Sequence, residues 1–169
     1  MLDHVVRIVN IQFPEYHTEN VGYSSHPDFT SSLPESANFC IQIIGGSLSL
    51  HWRTIFFEKK DNEESVISVY DSLNCSTDEG LLLKSLCDFE LKYIQKRFPK
   101  IEEQNIFFKK MKVAQPDTHS CGVYSVAFLT TLLFGGDPSS VNYANVKNLR
   151  KHFYNILTTD EILPFPNKK

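Results

Sequence analysis

A cysteine, a histidine and an aspartate in this chain are of the types that nucleophilic catalysis needs. The run Gln115-Pro116-Asp117-Thr118-His119-Ser120-Cys121-Gly122 is polar and turn-rich, and an apolar segment from Val123 to Phe134 follows at once. That pattern reads as a loop feeding a buried helix, with Cys121 in the first turn. A thiol there sits at the positive end of the helix dipole and beside free amide N–H groups, and both favour thiolate over thiol. Ser120 stands at the N-cap position, where its side-chain oxygen could accept from an unpaired amide. Such a thiolate becomes a catalyst when a base stands beside it and a third group orients the base. His119 is the nearest histidine in sequence, but a loop position just before the helix points it poorly at the thiol.

A better base lies upstream. His51-Trp52-Arg53-Thr54-Ile55-Phe56-Phe57 and Ser65-Val66-Ile67-Ser68-Val69-Tyr70-Asp71 are β-rich runs around the charged stretch 58–64. Two such runs around a solvated turn predict a hairpin. A turn centred near Asp61 pairs residues whose numbers sum to about 122, which sets His51 opposite Asp71 at roughly 5 Å. A carboxylate in that place orients an imidazole and stabilises its protonated form. Cys121, His51 and Asp71 then supply nucleophile, base and orienter.

The remaining elements must hold these residues. Residues 2–13 carry apolar side chains near helical spacing and end at Pro14; residues 14–37 read as an irregular surface segment. Phe39-Cys40-Ile41-Gln42-Ile43-Ile44 before Gly45-Gly46 reads as a buried strand. Residues 76–98 read as a helix, with Ser76 and Glu79 at capping-box spacing and Leu82, Leu86, Phe89 and Tyr93 as its apolar stripe. Residues 106–113 read as a strand. The segment 121–134 is apolar nearly all round, as a buried helix requires, and Gly135-Gly136 stops it. A last helix, about 141–157, places Val146, Leu149, Phe153 and Ile156 on one face.

Composition narrows the function classes. The chain has 169 residues, a net charge of −3 and a pI of about 6.1. The length suits one domain with one sizeable core. A chain without basic excess gives no support to nucleic-acid binding. No apolar run reaches the ~18 residues of a membrane span, and the first residues lack a signal-peptide pattern. The cysteines, Cys40, Cys75, Cys87 and Cys121, show no C-x-x-C spacing, so neither a zinc site, a redox motif nor any other cofactor is indicated. Cys40 and Cys87 read as small buried hydrophobes and Cys75 as an idle surface thiol. An intracellular, reduced protein is expected.

His51-Trp52, then Val69-Tyr70-Asp71-Ser72-Leu73, then Gln115 six residues before Cys121-Gly122-Val123, resembles the ubiquitin-like-protein-specific cysteine proteases. These are the SUMO-protease (sentrin-specific) and adenain-like group of papain-fold enzymes. Gly135-Gly136-Asp137-Pro138, the Leu149-Arg150-Lys151-His152 helix and Pro164-Phe165-Pro166 look like the protease domains of eukaryotic transposable elements. The resemblance implies an α+β fold in which a short mixed sheet packs against the buried helix that carries the nucleophile. It implies a single protease domain over residues 1–169, a monomer, that cleaves after the Gly-Gly tail of ubiquitin, SUMO or a relative through a thioester. Cys121 would be the nucleophile, His51 the base, Asp71 its orienter and Gln115 a side-chain oxyanion donor beside the Cys121 N–H. Trp52 would wall the narrow tunnel that admits Gly-Gly.

The chain departs from the family pattern at two places. Ser120 stands where an aspartate usually precedes the nucleophile. A second tunnel tryptophan is absent, and Met1-Leu2-Asp3 looks like the point just after it, so the domain is truncated at its N-terminus or the wall is built otherwise. The same fold also serves acyltransferases and viral polyprotein proteases, and a catalytically silent modifier-binding module is a third reading.

Overall fold

In the computed structural model the chain runs α1 (Leu2–Gln12), β1 (Phe39–Gly46), β2 (His51–Glu58), β3 (Val66–Tyr70), α2 (Asp88–Arg97), β4 (Ile106–Lys109), α3 (Cys121–Leu133) and α4 (Val146–Thr159). It describes residues 1–46, 50–60, 65–74, 86–143 and 145–166. The strands form one sheet in the order β1-β2-β3-β4, antiparallel except for the parallel β3–β4 pair. This is the α+β arrangement with a mixed sheet that the sequence leads one to expect.

Both faces of the sheet are covered, which is why β1 reads as a continuous apolar run rather than an alternation. Ile41 and Ile43 of β1 pack toward α3, α1 and α4, while Cys40 and Ile44 pack toward α2. Alternation along β2 does the same. Trp52 and Phe56 join the α3 side and Ile55 and Phe57 the α2 side. The Thr54 hydroxyl donates to the Ser125 carbonyl of α3 at 2.9 Å.

α3 lies between the sheet and the α1–α4 pair, so it has no solvated face. Val126, Ala127, Phe128 and Leu129 are all buried. The valine, phenylalanine and leucine side chains contribute about 1.5–3 kcal/mol each on burial, so α3 is anchored by its middle, and Cys121 at its first residue has a fixed position. Gly135, at φ +74°, ends the helix, with Gly136 N–H bonded to the Thr131 carbonyl and Gly135 N–H to Leu132. That is a Schellman closure, and glycine enters it without a Cβ penalty.

Several elements differ from expectation. The β2–β3 register pairs Thr54 with Tyr70, a sum two higher than the hairpin reading. Continued one step, it sets Asp71 opposite Arg53 and diagonal to His51. A shift of two keeps every side chain on its face, so His51 and Asp71 still share one. The turn at Asp61 lies outside the described residues, as do Ser76, Glu79 and Leu82. The second helix, expected over 76–98, begins at Asp88 after non-helical Leu86 and Cys87, with Cys87 and Glu90 forming the capping box; its buried residues are Glu90, Tyr93, Ile94 and Arg97. Phe89, expected on the apolar stripe, is exposed. Cys87 is half-buried rather than a core residue, and Cys75 lies outside the described residues.

The fourth strand stops at Lys109, because the Met111 N–H and carbonyl bond the Asn74 side chain and leave the ladder. The last helix begins at Val146, where the Asn145 side chain caps the Asn148 N–H. Residues 14–37 are not merely a surface segment. Three 3₁₀ turns run through them, and the buried Ser24 hydroxyl accepts from Gly45 N–H of β1. Glu19 of this segment takes hydrogen bonds from Tyr93 and Arg97 of α2.

Candidate active site

Three elements converge on Cys121. It is buried at the start of α3, His51 is the first residue of β2, and Asp71 follows β3. His51 Nε2 lies 2.8 Å from Asp71 Oδ1, which also accepts the Leu73 N–H at 2.8 Å. The same imidazole hydrogen-bonds the Cys121 thiol. With Nε2 held by Asp71, Nδ1 is the ring nitrogen left for sulfur. The structure thus joins all three residues in one chain of contacts.

The electrostatics follow from this geometry. Burial alone would push His51 down, but its bonds to Asp71 and Cys121 and the Asp71 charge raise it to about 9. Burial would push the Cys121 thiol up. The bond to His51, backbone bonds from Trp52 and Gly122, and the imidazolium charge hold it below the ordinary thiol range instead. Asp71 is likewise lowered: burial opposes ionisation, but the His51 bond, the Arg53 charge and the Leu73 N–H prevail. Cys40 is the internal contrast, since burial in the apolar interior pushes that thiol up to about 12. The Arg97 charge and hydrogen bond pull Cys40 down without offsetting its complete burial, whereas at Cys121 the His51 and backbone hydrogen bonds outweigh burial, so one residue type has opposite reactivity in two places.

Ser120 does occupy the N-cap position, but its hydroxyl makes no capping bond. It donates instead to Asp117 Oδ2 at 2.7 Å, while Asp117 Oδ1 accepts the His119 N–H at 2.8 Å. Asp117 therefore folds the loop before the nucleophile onto itself, an Asx-type turn that the Asp-Thr-His-Ser run signals. His119 is exposed, and its ring lies 3.4 Å from the Thr118 hydroxyl. Gln115 is buried and fixed at both ends of its amide. Its Oε1 accepts the Ser72 hydroxyl at 2.5 Å, and its Nε2 donates to the Asp117 carbonyl. A primary amide has a second N–H, which that pairing leaves for a ligand.

Trp52 lies half-buried between two glycines. A Cβ on Gly122 would stand 3.5 Å from its indole, and one on Gly46 only 3.0 Å from the ring edge. Gly46 also has φ +121°, so that position demands glycine on two counts. Trp52, His119, Cys121 and Val123 line a groove of about 470 Å³, together with Met1, Leu2 and Tyr154. A second groove, about 430 Å³ between Phe57, Phe98 and Ile101, contains none of the candidate residues.

Two residues at the site escaped the sequence reading. Arg53 Nε donates to Asp71 Oδ2 at 3.0 Å, and Arg53 Nη1 donates to both Glu90 oxygens at 2.8 and 3.1 Å. Arg53 follows His51 by two residues on a strand, so the shared face was readable; its charge partner on α2 was not. No group of His, Cys, Asp or Glu suited to a metal occurs among the described residues. No described helix is long and apolar enough to cross a membrane.

A sheet and a buried helix that bring cysteine, histidine and aspartate together define a cysteine peptidase of papain-like architecture. The family described as the Ulp1 protease family, C-terminal catalytic domain, matches residues 39–160, and the chain belongs to it. Solved structures agree in fold. The SUMO protease Ulp1 with its catalytic cysteine oxidised to a sulfonic acid is 16% identical, with 96% of this chain and 77% of that chain covered and a TM-score of 0.62. The Ulp1 protease domain in complex with SMT3, the yeast orthologue of SUMO, gives 16%, 96%, 76% and 0.65. The Xanthomonas campestris effector XopD bound to ubiquitin gives 13%, 94%, 90% and 0.56. No curated protein matches the chain.

Proposed function

We propose that this peptidase cleaves after the C-terminal Gly-Gly of a ubiquitin-like modifier, with residues 1–169 as one domain and Cys121, His51, Asp71 and Gln115 as its catalytic set. The observation that carries the reading is the Asp71–His51–Cys121 chain of contacts, with the thiol held low and the imidazole held high. Family membership and the modifiers bound in the related Ulp1 and XopD structures support the substrate class.

The reaction runs as thiol acyl transfer. The Cys121 thiolate attacks the glycine carbonyl carbon, and the carbonyl electrons move onto oxygen. That oxyanion takes hydrogen bonds from the Cys121 N–H and the free Gln115 side-chain N–H. The C–N bond breaks as His51 passes its proton to the leaving amine, which leaves a thioester. Neutral His51 then takes a proton from water, the hydroxide adds to the thioester, and Cys121 leaves as thiolate. Asp71 keeps the ring oriented and stabilises its charge at each transfer. Trp52 covers the approach, and a passage between it and the Cys121 backbone too narrow for a Cβ would select glycine.

The pH profile tests the ion pair. His51 must be protonated and Cys121 ionised, and His51 is raised to about 9. Release of a fluorophore from modifier C-terminal amides, ubiquitin and SUMO among them, should rise as Cys121 ionises below the ordinary thiol range. It should fall as pH passes about 9 and the imidazolium is lost. The two inflections belong to the coupled pair. A rate still climbing at about pH 10 would contradict the ion pair, and no release from any modifier would contradict the substrate class.

A further inference from the structure

Arg53 and Glu90 form a buried ion pair behind Asp71, with exposures of 6% and 1%. Such a pair is weak evidence for stability, because desolvation offsets attraction and well-packed apolar residues often serve as well or better. Its place beside Asp71 asks for another account. Asp71 Oδ1 is taken by His51 and Leu73, and Oδ2 by Arg53 Nε. Arg53 is fixed in turn by Glu90, whose Oε2 also accepts the Cys87 N–H at 2.9 Å. The charges alternate along the array: Glu90 negative, Arg53 positive, Asp71 negative, His51 positive, Cys121 negative.

We propose that Arg53 and Glu90 are positioning residues for catalysis, Arg53 by locking the Asp71 carboxylate with one oxygen toward His51, and Glu90 by balancing the Arg53 charge so that Asp71 acts on the imidazolium. The inference rests on the reading of Cys121, His51 and Asp71 as the catalytic group. The guanidinium fork lets one side chain bond both carboxylates, which a lysine ammonium on its flexible stem does less well. Without Glu90, the cation would draw the Asp71 field away from His51. The ionisable groups facing His51 among the described residues are Asp71 after β3, Cys121 of α3 and Arg53 of its own strand, and Glu90 of α2 stands behind Arg53.

Two variants test this, since Arg53 alone cannot be removed without stranding a buried Glu90 charge. Glu90→Gln keeps the shape and deletes one negative charge. Arg53→Met with Glu90→Leu replaces the pair by apolar side chains, an exchange that buried ion pairs often tolerate, and circular dichroism checks that the fold is kept. Iodoacetamide alkylation of Cys121 against pH, followed by peptide mass spectrometry because the chain has four cysteines, reports the ion pair without any modifier substrate. In Glu90→Gln the upper inflection should move to lower pH by about 0.5–1 unit, less than the ~1–3 units of a direct ion pair. In the double variant it should move to higher pH, because Asp71 no longer shares its charge with Arg53. On a cleaved modifier substrate the double variant should also lose about 10–100-fold in kcat with KM unchanged, the usual scale for an orienting partner. Folded variants with the wild-type inflection and wild-type kcat would overturn the inference alone. A wild-type Cys121 that titrates as an ordinary thiol would overturn the site reading and this inference with it.

Discussion

Replacing His51 with alanine should lower kcat/KM by about 10⁴–10⁶-fold. Two losses multiply. The imidazole is the main cationic partner of Cys121, and its hydrogen bond leads the effects that hold the thiol low. Without it, burial dominates and the thiol returns toward or above its ordinary value, so only about one molecule in a hundred is thiolate at pH 7. The variant also lacks the acid that protonates the leaving amine, worth roughly another 10²–10⁴-fold. The fold should survive, because His51 is the first residue of β2 and Asp71 keeps its bonds to Arg53 and the Leu73 N–H. Substrate turnover and far-ultraviolet circular dichroism measure the two halves of this expectation. A folded variant within tenfold of wild type would remove His51 from the mechanism. His119, two residues from the thiol, is exposed and should give no such loss on replacement.

Replacing Gln115 with alanine should lower kcat by about 10²–10³-fold and leave KM nearly unchanged, the signature of a bond made to the developing oxyanion. The amide is held in advance. Ser72 fixes its oxygen, the Asp117 carbonyl takes one N–H, and its backbone N–H bonds the Ser72 carbonyl at 2.7 Å. A donor fixed before reaction costs no reorganisation during it, which is why one such group carries so large a factor. Gln115→Glu should fail as badly, since a carboxylate facing an oxyanion repels it. A raised KM with kcat unchanged would instead mean that Gln115 contributes only binding shared by ground state and transition state.

Much of this site was legible in the chain because its chemistry is written in residue type and spacing. A cysteine between a turn-rich loop and an apolar run reads as a thiol at a helix start, whatever the fold. His51 and Asp71 were legible as a pair because strand alternation fixes faces even when register is two residues out. Gln115 was legible only through resemblance, since nothing local marks a glutamine as an oxyanion donor. The Arg53–Glu90 contact joins β2 to α2 across 37 residues of sequence, and no periodicity reports such a pairing. Ser120 misled for a definite reason: its hydroxyl donates to Asp117 and its oxygen accepts from Arg150 Nη2 at 3.3 Å, so the side chain is held away from the helix amides. Residues 14–37 looked like surface because they are polar. Many of them are exposed, but Ser24 and Glu19 bind β1 and α2 and tie the segment to the fold.

The central claim is that Cys121 attacks the Gly-Gly terminus of a ubiquitin-like modifier. The direct test is to incubate the folded chain with ubiquitin, SUMO and related modifiers carrying an electrophile in place of the C-terminal carboxylate, and to read the intact mass. At least one modifier should give a single adduct that peptide mapping places on Cys121, and Cys121→Ala should abolish it while leaving Cys40 and Cys87 untouched. No adduct across the panel from a folded chain whose Cys121 still alkylates, or an adduct on another cysteine, would contradict the account.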